Sequence, residues 1–166
     1  MAQMKAVSPE ESKVTMTEIV LPGHTNALGG IFGGVVMSWI DIAAAIAATR
    51  HSAKVCVTAS VDELHFLKSI HKGFIVNIEA RVTYVHNTSC EIKVNVFAEN
   101  PLKKEKFQTT RAFLTFVAID ENGTPTPMPP LKLETAADKK LAKAAQLRRE
   151  NRTLLKKKIS TEILAG

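Results

Sequence analysis

The chain of 166 residues holds only two cysteines, one tryptophan and one tyrosine, and aromatic residues make up 5% of it. Cys56 and Cys90 stand far apart without metal-ligand spacing, so neither a disulfide framework nor a thiolate metal centre is expected. The five histidines, His24, His51, His65, His71 and His86, share no metal spacing either. No Gly-x-Ser-x-Gly elbow is present, which excludes a serine hydrolase of the α/β type. There is no P-loop and no dinucleotide fingerprint. The first dozen residues lack a basic stretch followed by an apolar run, so no signal peptide is expected and a cytoplasmic location is the simplest reading.

What is present is a soluble composition, 45% hydrophobic and 23% charged, long enough for one domain with a sizeable core. The longest apolar run covers residues 31–49. It is rich in Ala and Gly and carries Asp41 near its centre, which argues against a membrane span. The net charge of +6 is unevenly placed. Between residues 135 and 158 nine Lys or Arg face only Asp138 and Glu150, so the rest of the chain is close to neutral. This basic segment lacks interleaved aromatics for base stacking, and no nucleic-acid partner is expected.

Residues 1–12 read as a loose leader. Residues 13–21 alternate as a first strand, ended by Pro22-Gly23. The loop from Gly23 to Gly30 runs into a helix from about Ile31 to His51 that is apolar on nearly every side, the mark of a helix inside a fold. Strands follow. Val55, Val57, Ala59 and Val61 fall on one face. Residues 75–85 and 90–98 alternate cleanly, with Val76, Ile78, Ala80, Val82 and Tyr84, then Ile92, Val94 and Val96, directed inward. Glu91, Lys93 and Asn95 are directed outward. His86-Asn87-Thr88 is a hairpin connection. Residues 107–119 form a last strand, apolar on both faces near Ala112 to Ala118, which places it centrally or at a subunit interface. A turn at Asp120-Glu121-Asn122-Gly123 and a Pro-rich stretch precede a basic helix from Thr135.

The stretch from His24 to Asp41 carries the chemistry. A lone carboxylate two turns inside an apolar helix is costly unless paired, protonated or used. Asp41 is therefore the candidate general base, and burial would raise its pKa toward a useful range. A structural carboxylate bonded to a Ser, Thr or backbone group is the plain alternative. Asn26 is the candidate orienter of water or of a reacting carbonyl, against an ordinary turn-forming Asn. Gly33 and Gly34 open the helix, where free N–H groups and the helix dipole are able to polarise a carbonyl. Glycine there equally serves close approach.

The residues His24-Thr25-Asn26-Ala27-Leu28-Gly29, Ile31-Phe32-Gly33-Gly34, Trp39-Ile40-Asp41, Val57-Thr58, Val61-Asp62, Thr88-Ser89 and Thr115-Phe116-Val117-Ala118 resemble the hotdog-fold acyl-CoA thioesterases. The likeness is greatest to bacterial acyl-CoA hydrolases related to the cytosolic brain-type enzyme, and it covers residues 10–155. It implies an α+β hotdog fold: one long buried helix wrapped by an antiparallel sheet of about five strands, with a C-terminal surface helix. Domain limits of 1–12, 13–134 and 135–166 follow. It also implies hydrolysis of acyl-CoA to fatty acid and CoA, with no cofactor and no metal, in a homodimer that assembles as a trimer of dimers. One branch of the family places its acid just before the Ile-Phe-Gly-Gly. Gly30 stands there, so the resemblance points instead to Asn26 and Asp41, contributed by opposite subunits. Thr88, Ser89, Arg148 and Arg149 are its weaker candidates for contact with CoA. Ser69 and His86-Asn87 depart from the family's usual Pro and Gly-Arg. Competing readings are a non-catalytic acyl-CoA-binding module and a hydratase, the latter disfavoured because no His accompanies Asp41 on the helix.

Overall fold

The computed structural model describes residues 4–164, apart from the side chains of 63 and 162–164. The ends of the expected leader and tail, 1–3 and 165–166, lie outside the described residues. In chain order the elements are β1 (Val14–Ile19), α1 (Gly33–Ser52), β2 (Val55–Phe66), β3 (Ile75–His86), β4 (Ser89–Asn100), β5 (Glu105–Ile119) and α2 (Ala136–Leu164). A short 3-10 turn, Pro22–His24, follows β1. The five strands form one antiparallel sheet in the order β1-β3-β4-β5-β2. The sheet curls around α1, the hotdog arrangement that the resemblance implies.

Period-two alternation positions the core. Val76, Ile78, Ala80 and Val82 of β3, Ile92, Val94 and Val96 of β4, and Ala112, Leu114, Phe116 and Ala118 of β5 are buried against α1. From the helix come Val36, Ile40, Ala43, Ala44, Ala47 and Ala48, whose small size lets the sheet approach closely. By length and composition α1 would suffice to cross a membrane, yet it packs inside this sheet. Its last turn ends at Ala53, in the left-handed conformation of a C-cap.

Five expectations change. In β3 the register slips between Val82 and Tyr84, so Tyr84, expected inward, lies beside Glu91 and the α2 residues Ala145 and Arg149, and Val85 takes the inward place. The segment 7–12 is tethered: Val7 pairs with Leu131, and the Val82 N–H donates to the buried Ser12 hydroxyl. In β2, Val55, Val57 and Val61 do not share a face, because the strand slips register between Thr58 and Ser60 and again between Val61 and Glu63. Cys56 and Thr58 turn toward α1, and Val55 and Val57 turn away. The strand also runs on to Phe66. Glu91, expected in water, is 4% exposed because α2 covers the outer face of the sheet.

That covering is electrostatic. Thr135 and Asp138 cap each other at the helix start. Asp138 pairs with Arg81 of β3, and Arg152 pairs with Asp62 of β2. Arg148 binds Glu91 through two nitrogens at 2.9 and 2.8 Å, and its guanidinium lies 3.7 Å from the Phe113 ring centroid. Thr83 donates a further hydrogen bond to Glu91 at 2.8 Å.

Removing one partner of so buried a pair strands the other. Arg148→Ala is expected to cost about 3 kcal/mol in denaturant unfolding. Adding Glu91→Gln to that variant recovers part of the loss. A second prediction concerns His51, which is buried where α1 ends, with Nε2 2.9 Å from the Pro129 carbonyl. Burial pushes its pKa below the usual 6.5, outweighing the opposing pull of the Pro129 hydrogen bond and of Glu11. The unfolded chain therefore binds a proton that the folded state resists. The stability that His51 contributes is full above pH 6.5 and declines as pH falls below it. His51→Gln should flatten the slope of thermal midpoint against pH below 6.5.

Candidate active site

The loop carrying Asn26 is a closed miniature hairpin. Thr25 bridges Ile31, and the Asn26 N–H donates to the Gly30 carbonyl at 2.8 Å. Gly29, at φ 76°, makes the reversal that a side chain resists. The Ile31 N–H donates to the Ile70 carbonyl, and the Phe32 N–H to the His24 carbonyl, so both ends of the loop are anchored. The His24 ring meets Trp39 of α1 edge to face at 5.3 Å and accepts the Leu21 N–H, an anchoring role.

These bonds fix how the Asn26 side chain faces. Its Oδ1 accepts from the Leu28 N–H at 2.9 Å and the Gly30 N–H at 3.3 Å. Its Nδ2 has no hydrogen-bond partner among the described residues. The amide is thus a turn former through oxygen and an unengaged donor through nitrogen. It borders a hollow of about 410 Å³ whose wall includes Gly33, Val36, Phe66 and Ile70.

Asp41 sits two turns along α1, partly buried, on the side that the sheet leaves uncovered. The Thr58 hydroxyl of β2 donates to its Oδ1 at 2.7 Å. The carboxylate borders a second, largely apolar hollow of about 290 Å³, formed with Gly34, Met37, Ile40, Val61, Leu64 and Leu114. No described residue borders both hollows. Within one chain Asn26 and Asp41 therefore line different hollows, with no hydrogen bond between them among the described residues. Gly33 belongs to the first hollow and Gly34 to the second, at the helix start between them. A Cβ on Gly33 would meet the Phe66 ring at 3.3 Å, whereas one on Gly34 would meet nothing within 4 Å. No described side chain caps this helix start; the Val35 and Val36 N–H groups donate to the Phe32 carbonyl, and those of Gly33 and Gly34 have no partner among the described residues.

Thr58 was not singled out as a site residue from sequence. Its signal is an inward position on the strand beside α1, shared with Cys56, and the register slip just after it obscures that parity. The candidate CoA contacts divide. Ser89 and Arg149 border one small cleft with His86 and Arg152. Thr88 is absent from that wall. Arg148 is turned onto Glu91 and Phe113, where it ties helix to sheet rather than presenting itself to a phosphate.

Residues 28–105 match the thioesterase superfamily. An uncharacterized acyl-CoA thioester hydrolase of Bacillus subtilis is 41% identical over 143 residues, covering 86% of this chain and 83% of its own. The crystal structure of an apo-hexameric acyl-CoA thioesterase aligns with a TM-score of 0.87 at 41% identity, over 90% of this chain and 96% of that one. The acyl-CoA hydrolase of Staphylococcus aureus, solved with butyryl coenzyme A, coenzyme A and coenzyme A disulfide, aligns with a TM-score of 0.86 at 34% identity, over 97% and 99%. Variants of that enzyme with an Asn, an Asp or a Thr changed to Ala have also been solved. The three replaced residues have the order and spacing of Asn26, Asp41 and Thr58 here. With this fold, this helix start and these matches, the chain belongs to the thioesterase superfamily.

Proposed function

We propose that the protein hydrolyses acyl-CoA thioesters at a site completed by two copies of the chain, Asp41 from one and Asn26 from the other. The observation that carries this reading is the separation of the two residues. Each borders its own hollow, each hollow is open, and the face between them is apolar and uncovered. Phe32, Met37, Ile42, Val61 and Phe66 are all exposed there. A patch of this kind on a soluble protein marks an interaction surface. The unpaired edge of β2 beside it is a template for pairing with a second sheet.

In this reading Asp41, steadied by Thr58, takes a proton from water as the water oxygen bonds to the thioester carbonyl carbon. The carbonyl oxygen gains negative charge. The Asn26 Nδ2 of the partner subunit and the free N–H groups at Gly33 and Gly34 stabilise it. Collapse breaks the carbon–sulfur bond, and the proton on Asp41 passes to the departing CoA sulfur. The products are a fatty acid and CoA, and the chemistry calls for no cofactor or metal. The apolar hollow beside Asp41 suits an acyl chain. Ser89 and Arg149, which border one cleft, are read as contacts for the phosphates of CoA. The assembly is read as a dimer that further associates into a hexamer, as the hexameric relative does. The protein is read as cytoplasmic.

The chemistry of Asn26 gives a sharp test. Asn26→Asp retains both backbone acceptor bonds of the loop but loses the Nδ2 donor. It should keep its melting temperature while turnover, followed as release of CoA thiol from acyl-CoAs of several lengths, drops by about 100-fold. Asp41→Ala should lose at least that much. An Asn26→Asp protein with full turnover would show that the residue only shapes the loop. An unaffected Asp41→Ala variant would refute the base assignment. CoA binding without any hydrolysis in the unaltered protein would favour the binding-module reading.

A further inference from the structure

The ion pairs of α2 trace its path over the outer face of the sheet. Asp138 meets Arg81 on β3, Arg148 meets Glu91 on β4 and Phe113 on β5, and Arg152 meets Asp62 on β2. This is the spatial order of the strands, so the helix crosses the sheet diagonally and reaches its edge at residue 152. It does not stop there. The helix continues to Leu164. At 1.5 Å per residue the remainder extends about 18 Å, enough at the same slant to cross about two further strand positions. Among the described residues no strand lies beyond β2.

The overhang exposes apolar side chains beside Lys156, Lys157 and Lys158. Leu154, Leu155 and Ile159 are 57%, 58% and 45% exposed within an arc of about 140° around α2. A matching bare patch lies on β2 itself. Val55 and Val57, directed away from α1, are 65% and 43% exposed. The chain's own helix does not cover them, because it passes β2 at Asp62, toward the other end of the strand.

We propose that the distal part of α2 is a clamp for a second copy of this chain, its Leu154, Leu155 and Ile159 seated on Val55 and Val57 of the partner subunit. The symmetry of self-pairing selects that occupant. Two copies joined edge to edge at β2 by a two-fold axis run antiparallel there, so the C-terminal half of one strand lies beside the N-terminal half of the other. A helix leaving over Asp62 next meets the partner's Val57 and Val55. Each copy would supply one clamp and receive one, which buries both bare patches at once. The inference rests on the proposed meeting of two copies at β2 and α1. It goes beyond that reading by assigning α2, which touches neither Asn26 nor Asp41, to holding the pair closed.

The test places a photo-crosslinking residue, benzoylphenylalanine, at position 155 of the full chain. Isotopically light and heavy protein are mixed, allowed to exchange, and irradiated. The expected product joins position 155 to a peptide segment spanning residues 55–59, with light and heavy chains linked to each other. Links confined to one isotopic chain, or links to other surfaces, overturn the clamp. In parallel, Leu154→Glu/Leu155→Glu/Ile159→Glu, all at exposed positions, should raise the dimer dissociation constant by at least about 100-fold while leaving helix content unchanged. An unaltered dissociation constant also overturns it. A chain that stays monomeric at every concentration defeats the two-copy site along with the clamp. A dimer marked elsewhere defeats the clamp alone.

Discussion

A helix with more apolar circumference than one sheet can cover is the constraint on which the rest of the molecule depends. The curled sheet buries the Ile40, Ala43, Ala44, Ala47 and Ala48 side of α1. It leaves Met37 and Ile42 exposed and Asp41 partly so, with Phe32 and Phe66 bare at the helix start. Hydrophobic burial is the main favourable term in folding, and the same term drives association when surface is left over. The uncovered side is also where the only carboxylate of α1 lies. One patch therefore carries both the reason to self-associate and the proposed base.

The Asn26 loop and the start of α1 show how backbone geometry and chemistry coincide. A turn that uses the oxygen of Asn26 for two backbone N–H groups fixes its nitrogen as a donor, and no other amide orientation satisfies the loop. The helix that follows begins with two glycines and no side-chain cap, and the N–H groups of those glycines have no partner among the described residues. In the proposed reaction both features meet the thioester oxygen. Thr58 does the corresponding work for Asp41 by fixing one of its oxygens.

Much of this was legible in the sequence where a single element decides the outcome. The alternation in β3 as far as Val82 and in β4, the hairpin at Asn87, the interior place of β5 and the extent of α1 follow from local pattern, whereas the slip that turns Tyr84 outward does not. What was not legible depends on partners distant in sequence or on breaks in the pattern. Glu91 reads as an outward residue because its partner Arg148 lies 57 positions away on a helix whose docking face no periodicity announces. The register slips in β2 send Val55 and Val57 to one side and Val61 to the other, a change that a regular alternation cannot foresee. The same slips hide the pairing of Thr58 with Asp41. Residues 7–12 look loose because they contain no strand pattern, yet single bonds to Pro130, Lys132 and Val82 hold them.

The central claim is that neither copy is active alone, because each lacks what the other supplies. Subunit complementation tests it directly. Asn26→Asp and Asp41→Ala proteins, each inactive by itself, are dissociated together and allowed to reassociate. Every mixed dimer then contains one site with both residues intact, so random pairing predicts recovery of about a quarter of the activity of the unaltered protein. If the mixture stays as inactive as its components despite verified subunit exchange, Asn26 and Asp41 serve the reaction from within one chain, or not at all, and the account is wrong.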